Sequence, residues 1–378
     1  MKKLFTVWLA LVLLAIPVQV GAFADEGSNT NQDYLVQFDG PASKGLIKAF
    51  GVDESDILHT YDHLPVVHVN LTDNQARGLA NHPQISAVEE NAEVQAFGQT
   101  VPWGVPHVQG TAAQNAGYTG AGLKVAILDT GIDRNHEDLF ANVKGGHSVF
   151  TDSANNDPYY DESGHGTHVA GTVAAVDNDL GVVGVATQAE LYAVKVLNNS
   201  GSGSYAGIAE GIEWSINNGM DIINMSLGGS QSSSILEQFS NLAYEEGLLV
   251  VAAAGNSGNR GGNNDTVGYP AKYNSVIAVA AVDQNNNRAT FSSTGPAVEI
   301  SAPGVSILST TPGNNYAAFN GTSMASPHVA GVAAQVWQAK PGLSNVELRN
   351  LLNDTAVNLG GSNQYGHGLV QSLDAIQQ

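Results

Sequence analysis

Two kinds of apolar pattern divide the chain. Up to about residue 97 the apolar positions come in short runs. Tyr34-Leu35-Val36-Gln37-Phe38 alternates and predicts a short strand, and Pro65–Val69 and Ile85–Val88 predict two more. Ala42–Phe50 reads as a short helix closed by Gly51. Thr72 is placed to N-cap a second helix through Ala80, which His82-Pro83 ends. The result is a small α+β module, followed by Asn91–Thr100, which lacks strong periodicity and reads as a linker. From Leu123 the pattern changes. Apolar runs without alternation at Val125–Leu128, Leu191–Leu197, Ile222–Leu227, Leu248–Ala254 and Val276–Val282 predict strands buried on both faces. Helical stretches lie between and after them, at His165–Val176, Tyr205–Asn217, Ile235–Glu246 and Ser323–Gln338. This alternation predicts an α/β fold, a mostly parallel sheet with helices on both faces and right-handed crossovers. No internal repeat is visible. The Asn- and Gly-rich stretches 198–204, 256–264 and 285–287 read as surface loops.

The N-terminus adds a targeting expectation. Lys2 and Lys3 precede the apolar run Leu4–Ile16, too short to span a bilayer comfortably, and Ala22-Phe23-Ala24 fits the small-x-small cleavage rule. A secretory signal over residues 1–24 is predicted, with a membrane anchor as the alternative. No other stretch approaches about 18 consecutive apolar residues, so the mature chain is expected to be exported, soluble and free of the membrane. The 378 residues include no Cys, which excludes a disulfide framework, a thiolate metal site and a Cys nucleophile. Stability must come from size and packing, or from bound metal. Lys and Arg number 14 against 35 Asp and Glu, a net charge of -21. Such a chain repels phosphate backbones, so nucleic acid is not expected as a partner. The 43 glycines point to tight turns and close backbone approaches rather than a helical bundle.

Ligands of open α/β sheets gather beyond the carboxyl ends of the strands. Three segments place reactive groups there. Asp129 ends the first buried strand. His165 lies in SGHGTHVAG (163–171) and Ser323 in NGTSMASPH (320–328), each where a loop enters a helix. Pro327 is expected in that helix's first turn, where its missing N–H costs nothing. A Ser hydroxyl needs an adjacent imidazole to take its proton, and the imidazole needs a buried carboxylate to fix its tautomer. A developing oxyanion needs fixed donors. The Ser323 N–H at a helix start and the side-chain amide of Asn256, which ends another buried strand, can supply them. Other readings remain open at this point. An Asp at a strand end is commonly a turn residue, and a Ser before a helix an N-cap. His168, one helical turn from His165, allows a metal pair, although no H-E-x-x-H pattern exists. Asp129-Thr130-Gly131 matches an aspartic-protease loop, but that chemistry needs two such loops and the chain has one.

From about Gln99 onward the chain closely resembles the subtilisin family of secreted bacterial serine endopeptidases. The matching stretches are VAILDTGID (125–133), GHGTHVAG (164–171), SLGG (226–229), AAAGN (252–256) and GTSMASPHVAG (321–331). The order Asp, His, Ser is the subtilisin order. Residues 33–97 resemble the family's inhibitory propeptide. The resemblance implies a signal over 1–24, a ferredoxin-like α+β propeptide over 25–97 and a catalytic domain over 98–378. It assigns Asp129, His165 and Ser323 as a triad and Asn256 as oxyanion donor. Thr322 then supports the oxyanion site, His168 becomes a structural helix residue, and Met324 is an oxidation liability.

The same resemblance implies an extended polypeptide substrate. It would add a strand between Gly201-Ser202-Gly203 and Ser226-Leu227-Gly228, with side chains at these glycines blocking its approach. Ala253, Gly255 and Gly268 would line the P1 pocket, wide enough for an aromatic or long apolar residue. Ser257 stands where several relatives carry Glu, so help for basic residues should be weak. Tyr205 and Ile208 would form the subsite three residues further N-terminal. Self-cleavage after Phe97 would put Phe97 and Val94 into those two pockets. A tight calcium site maps onto Gln99, Asp138, Val176, Asn178, Leu180 and Val182, an oxygen set suited to a hard cation. A second, weaker cation site would use carbonyls of Ala271, Tyr273 and Val276, with Ala297 replacing an acidic residue of some relatives and Glu299 remaining. The expected molecule is a propeptide-activated, calcium-stabilised, monomeric serine endopeptidase of broad specificity. The rivals are a metalloprotease using His165 and His168, and a catalytically inactive exported binding protein.

Overall fold

The structure is a computed structural model describing residues 31–92 and 98–378. The chain divides into two compact units, with the division between residues 96 and 97. The expected signal segment and the Val94 and Phe97 positions lie outside the described residues.

The N-terminal unit runs β1 (Gln32–Phe38), α1 (Lys44–Ala49), β2 (Ile57–Thr60), β3 (Val66–Leu71), α2 (Asp73–Ala80) and β4 (Ile85–Glu90). The sheet order β2-β3-β1-β4, antiparallel throughout, is the ferredoxin-like arrangement. Alternation in β1 buries Tyr34, Val36 and Phe38 against Val67, Val69, Leu71, Ile47 and Leu79. Thr72 caps α2 in a reciprocal box: its hydroxyl accepts from Gln75 N (3.3 Å), and Gln75 Oε1 accepts from Thr72 N (2.9 Å). The strand β2 carries no sequence signal, because it is a four-residue edge whose middle residues are exposed.

The second unit begins with the short helices α3 (Gly104–His107) and α4 (Gly110–Asn115). It continues with β5 (Lys124–Asp129), β6 (Val143–Ser148), α5 (His165–Ala174), β7 (Glu190–Lys195), α6 (Tyr205–Asn217), β8 (Ile222–Met225), α7 (Ser234–Glu245) and β9 (Leu249–Ala253). Then follow β10 (Ile277–Val282), β11 (Val298–Pro303), the hairpin β12 (Ile307–Thr311) and β13 (Asn315–Phe319), α8 (Thr322–Ala339), α9 (Asn345–Asp354), α10 (Ser362–Tyr365) and α11 (Ser372–Gln377). Seven strands form one all-parallel sheet in the order β11-β10-β9-β8-β5-β7-β6. Within β5, Val125 and Ile127 pack into one core with α5 and α8, while Ala126 and Leu128 pack into the other with α6 and α7. That double burial is why the strand shows no alternation.

From β5 the chain runs out to the edge strand β6, returns by β7, and then crosses to β8 on the other side of β5. The strand order therefore reverses at β5, and Asp129 ends that strand. Such switch points are where open α/β sheets leave a crevice. The strands missed in the sequence are those without apolar runs. The edge strand β6 contains Gly145-Gly146, and β11 contains Glu299 and Pro303.

Pro327 departs from expectation. It lies in the second turn of α8, which starts at Thr322, so its missing N–H leaves the Ser323 carbonyl without a helical donor. The Ser226 hydroxyl fills the gap, donating to that carbonyl at 2.8 Å.

Candidate active site

The loops after β5 and before α5 are stitched together by one carboxylate. Asp161 is buried and accepts four hydrogen bonds: from Thr130 Oγ1 (2.8 Å), Gly164 N (2.9 Å), Thr167 N (2.9 Å) and Thr167 Oγ1 (2.6 Å). Thr130 Oγ1 in turn accepts from Gly166 N at 2.9 Å. His165, the first residue of α5, follows Gly164, whose φ of +77° suits glycine. Its Nδ1 and the Oδ1 of fully buried Asp129 are 2.7 Å apart, and the same oxygen accepts from Thr130 N at 2.7 Å. The other oxygen, Asp129 Oδ2, is buried with no hydrogen-bond partner among the described residues. Behind the pair, buried Lys195 at the end of β7 donates to the Thr130 carbonyl and to Asn199 Oδ1. Burial disfavours the His165 cation. The Asp129 charge and hydrogen bond, with Asp161 adding to them, outweigh that and hold the ring above the ordinary histidine value. Asp161 and Lys195 were missed in the sequence: an Asp ahead of Ser-Gly reads as a turn, and a Lys ending an apolar run as its exposed end.

Ser323 is the second residue of α8, so its N–H has no intrahelical acceptor. Its hydroxyl donates to the Ser226 carbonyl at 3.1 Å. Asn256 follows β9, and its Oδ1 accepts from Thr322 N and Thr322 Oγ1, both at 3.0 Å. Because a backbone N–H must meet an oxygen, these bonds fix the amide orientation and leave Nδ2 without a partner among the described residues. Thr322 Oγ1 also accepts from Gly255 N at 3.1 Å, so one hydroxyl sets both residues of the Gly255-Asn256 turn. His165, Asn256, Ser323 and Met324 line one open cavity of about 430 Å³. Met324 is itself buried.

Two further cavities share the wall Leu227-Gly228-Gly229-Ser230. The larger, about 680 Å³, runs past His165 between Gly201-Ser202-Gly203 on one side and Ser226-Leu227-Gly228 on the other, with Tyr205 and Ile208 in its lining. The other, about 520 Å³, has Ala253, Gly255 and Gly268 in its wall and Asn256 and Ser323 at its mouth. All eleven expected substrate-contact residues thus border two cavities that share one wall. Two of their glycines answer first to the chain's own backbone. A Cβ on Gly203 would lie 2.4 Å from the Val196 carbonyl oxygen, and one on Gly268 would lie 3.0 Å from that of Gly229.

His168 does not join His165 as a metal pair. Its Nε2 sits between the carbonyls of Ile307 (2.9 Å) and Ala317 (3.1 Å), and its ring stacks on Phe319 at 4.3 Å. Burial pushes it down to about 4, against the two carbonyls that favour its cation. It ties α5 to the β12–β13 hairpin.

The two expected cation regions differ. In the first, three oxygens converge on Gln99 Nε2: Val176 O (2.6 Å), Asn178 Oδ1 (3.2 Å) and Val182 O (3.0 Å). Asp138 lies alongside, Oδ1 accepting from Asn178 Nδ2 (3.1 Å) and Oδ2 from Val182 N (2.8 Å). A ring of oxygens around one donor is the chemistry a hard cation takes, with Gln99 turned to offer Oε1, so these residues fit calcium. In the second region two of the three expected carbonyls already accept hydrogen bonds. Val276 O accepts from Arg349 Nη2 (3.3 Å) and Tyr273 O from Val276 N (3.0 Å). Glu299 accepts from Arg349 Nε (2.6 Å) and Asn353 Nδ2 (2.8 Å). The guanidinium already supplies a positive charge there, beside the Val276 carbonyl and Glu299, where a second cation was expected.

The model of the subtilase family matches residues 120–368, and the chain belongs to that family. Within it, the chain is a serine endopeptidase of the subtilisin type. The alkaline elastase YaB of Bacillus sp. (strain YaB) is 54% identical over 324 residues, covering 86% of this chain and 82% of that one. The thermostable alkaline protease of Halalkalibacterium halodurans is 47% identical over 370 residues, covering 97% and 98%. Subtilisin E of Bacillus subtilis (strain 168) is 44% identical over 389 residues, covering 100% and 99%.

Proposed function

We propose that Ser323 is the nucleophile, His165 its general base, Asp129 the carboxylate that orients the base, and Asn256 with the Ser323 N–H the oxyanion donors. The observation that carries this is the 2.7 Å contact between His165 and buried Asp129, at a cavity that Ser323 and Asn256 also line. Catalysis starts when the Ser323 hydroxyl turns from the Ser226 carbonyl to His165 Nε2 and gives up its proton as Oγ attacks the peptide carbonyl. The oxyanion is met by Asn256 Nδ2 and the Ser323 N–H. His165 then returns the proton to the departing amine, and water releases the acyl group by the same steps. Asp129 keeps the proton of the ring on Nδ1 throughout. Titration with a serine-directed phosphonylating reagent tests the assignment. One equivalent should abolish activity, label Ser323 and leave Ser323→Ala unlabelled; label on another serine would overturn it.

The substrate is an unfolded or extended polypeptide, read with broad specificity and a large apolar or aromatic P1 residue in the cavity walled by Ala253, Gly255 and Gly268. Tyr205 and Ile208 take the side chain three positions further N-terminal. We further infer that residues 1–24 direct export, that 25–97 form an intramolecular inhibitor and folding aid removed by self-cleavage near Phe97, and that the mature enzyme is an extracellular monomer. Among the described residues no helix is long and apolar enough to cross a membrane. N-terminal sequencing of secreted material, wild type against Ser323→Ala, tests both steps: Ser323→Ala should accumulate as the unprocessed precursor.

Gln99, Asp138, Val176, Asn178, Leu180 and Val182 would hold one calcium ion, which when bound ties segment 176–182 to Gln99 and Asp138. Chelation should lower Tm by roughly 5–10 °C, the equivalent of a ligand held well above its Kd. In Asp138→Asn the same chelator should change Tm little.

A further inference from the structure

Asp265 and Lys272 are the only charged side chains among the described residues lining the cavity bordered by Ser323, Asn256 and Gly268. Every other lining residue is glycine, apolar or neutral and polar. Lys272 Nζ lies 2.6 Å from Asp265 Oδ2 and stands above the Tyr269 ring, 6.0 Å from its centroid. The two ends of this pair differ in freedom. Asp265 is held against Gly295, where a Cβ would come within 2.4 Å of Oδ1. Its neighbours are pinned as well: Thr266 N donates to Thr294 O (2.7 Å), and Thr294 Oγ1 donates to Asn264 O (2.6 Å). Lys272 ends a long flexible stem. Both side chains are about a third exposed, so the pair adds at most about 1 kcal/mol to stability.

We propose that Asp265 and Lys272 set the charge preference at P1, a step that rests on reading this cavity as the P1 site. Joined, they cancel, and the cavity presents no net charge to an entering side chain. Without Lys272, the fixed carboxylate of Asp265 faces the cavity unpaired and accepts a cationic P1 side chain. Without Asp265, the ammonium of Lys272 remains and accepts an acidic one. Specificity here is a difference between two charge balances rather than a matter of pocket size alone.

The test is a set of tetrapeptide p-nitroanilides identical except at P1, which is Phe, Leu, Gly, Lys or Glu. In Lys272→Met the ratio of kcat/KM for Lys over Phe should rise about three- to tenfold, and in Asp265→Asn the ratio for Glu over Phe should rise similarly. Both gains should shrink between low and moderate salt, because the cavity is open to solvent. The double variant Asp265→Asn/Lys272→Met should return both ratios toward wild type. Unchanged ratios in both single variants, or an equal fall for every substrate, would overturn the proposal while leaving the P1 assignment standing. A wild-type enzyme that cleaves Gly, Leu and Phe substrates equally well would instead overturn the P1 assignment, and the proposal with it.

Discussion

The two halves of the site are built on opposite plans. On the acid–base side the polar groups are almost all committed. Asp161 accepts four hydrogen bonds, the Thr130 hydroxyl donates one and accepts another, and His165 is held on Asp129. On the Ser323 side, the proposed nucleophile side, groups are held back. Thr322 fixes one end of the Asn256 amide and leaves Nδ2 unengaged among the described residues, and the Ser323 hydroxyl rests on a carbonyl it can leave. The base must keep its geometry through the cycle, and around it only Asp129 Oδ2 is without a partner among the described residues. On the proposed assignment charge develops on the other side, where the donors have no partner among the described residues. One rigid half and one unspent half is what preorganised catalysis requires.

The comparison breaks most visibly at Ser323 and Asn256. Ser323→Ala removes one exchangeable hydrogen bond, so stability should change by no more than a surface substitution does, about 0.5 kcal/mol or less. The same variant should lose roughly 10⁶-fold in kcat, a figure carried over from subtilisin. Asn256→Ala should lose roughly 10²–10³-fold in kcat, a magnitude likewise taken from subtilisin itself. It should also lose about 1–3 kcal/mol of stability, because Thr322 N and Oγ1 are left without an acceptor. Asn256→Asp keeps that acceptor, deletes the second donor and adds a negative charge where the oxyanion would form. Its stability should stay near wild type while kcat falls at least as far. Equal stability losses in the two Asn256 variants would show that Asn256 does not divide its two ends between structure and chemistry.

Asp161 probes the rigid half. Its charge helps hold His165 above the ordinary histidine value. On the proposed assignment only the neutral ring accepts the Ser323 proton, so activity should rise as pH climbs through the His165 pKa. Removing a negative charge lowers that pKa and makes the neutral base available sooner. In Asp161→Asn the acid limb of kcat/KM should therefore move to lower pH, while the plateau falls about tenfold from loosened loops. A purely structural Asp161 would lower the plateau and leave the limb in place. The pH profile of kcat/KM between about pH 5 and 9 separates the two.

The legible part of the molecule is the part whose surroundings repeat along the chain. Strands buried on both faces, such as Val125–Asp129 and Leu249–Ala253, announce themselves by unbroken apolar runs, and the helices between them by their period. The edge strand Val143–Ser148 and the hairpin 307–319 do not, because half their neighbours are solvent or irregular chain. At the site, Asp129, His165, Asn256 and Ser323 stand at strand ends and helix starts, where chemistry-bearing residues are conspicuous. Asp161, Lys195 and Arg349 carry as much of the local electrostatics but earn it only through partners far away in sequence. Arg349 bonds to Glu299 across 50 positions and takes one of the three carbonyls expected to hold a cation, that of Val276, together with that of Asn274. Long-range pairing of polar groups leaves no local periodicity to read.

The smallest effect tests how the nucleophile's turn is supported. Pro327 deprives the Ser323 carbonyl of its helical donor, and Ser226 Oγ replaces it at 2.8 Å. Ser226 is itself held by Asn224 Nδ2 (3.1 Å), whose Oδ1 accepts from Ser326 Oγ (2.7 Å). A polar thread thus runs from β8 into α8 beneath the nucleophile. Ser226→Ala should cost about 1–2 kcal/mol, since it leaves a buried carbonyl and the Asn224 amide short of partners. Pro327→Ala restores an N–H at the position from which a helix would serve that carbonyl. In the Pro327→Ala background, Ser226→Ala should then cost about 0.5–1 kcal/mol less, which a double-mutant cycle by denaturant unfolding can resolve. The same penalty in both backgrounds would mean that the hydroxyl and the proline are independent features of the helix start. A smaller penalty in the second would tie the exception in α8 directly to the strand that borders the substrate groove.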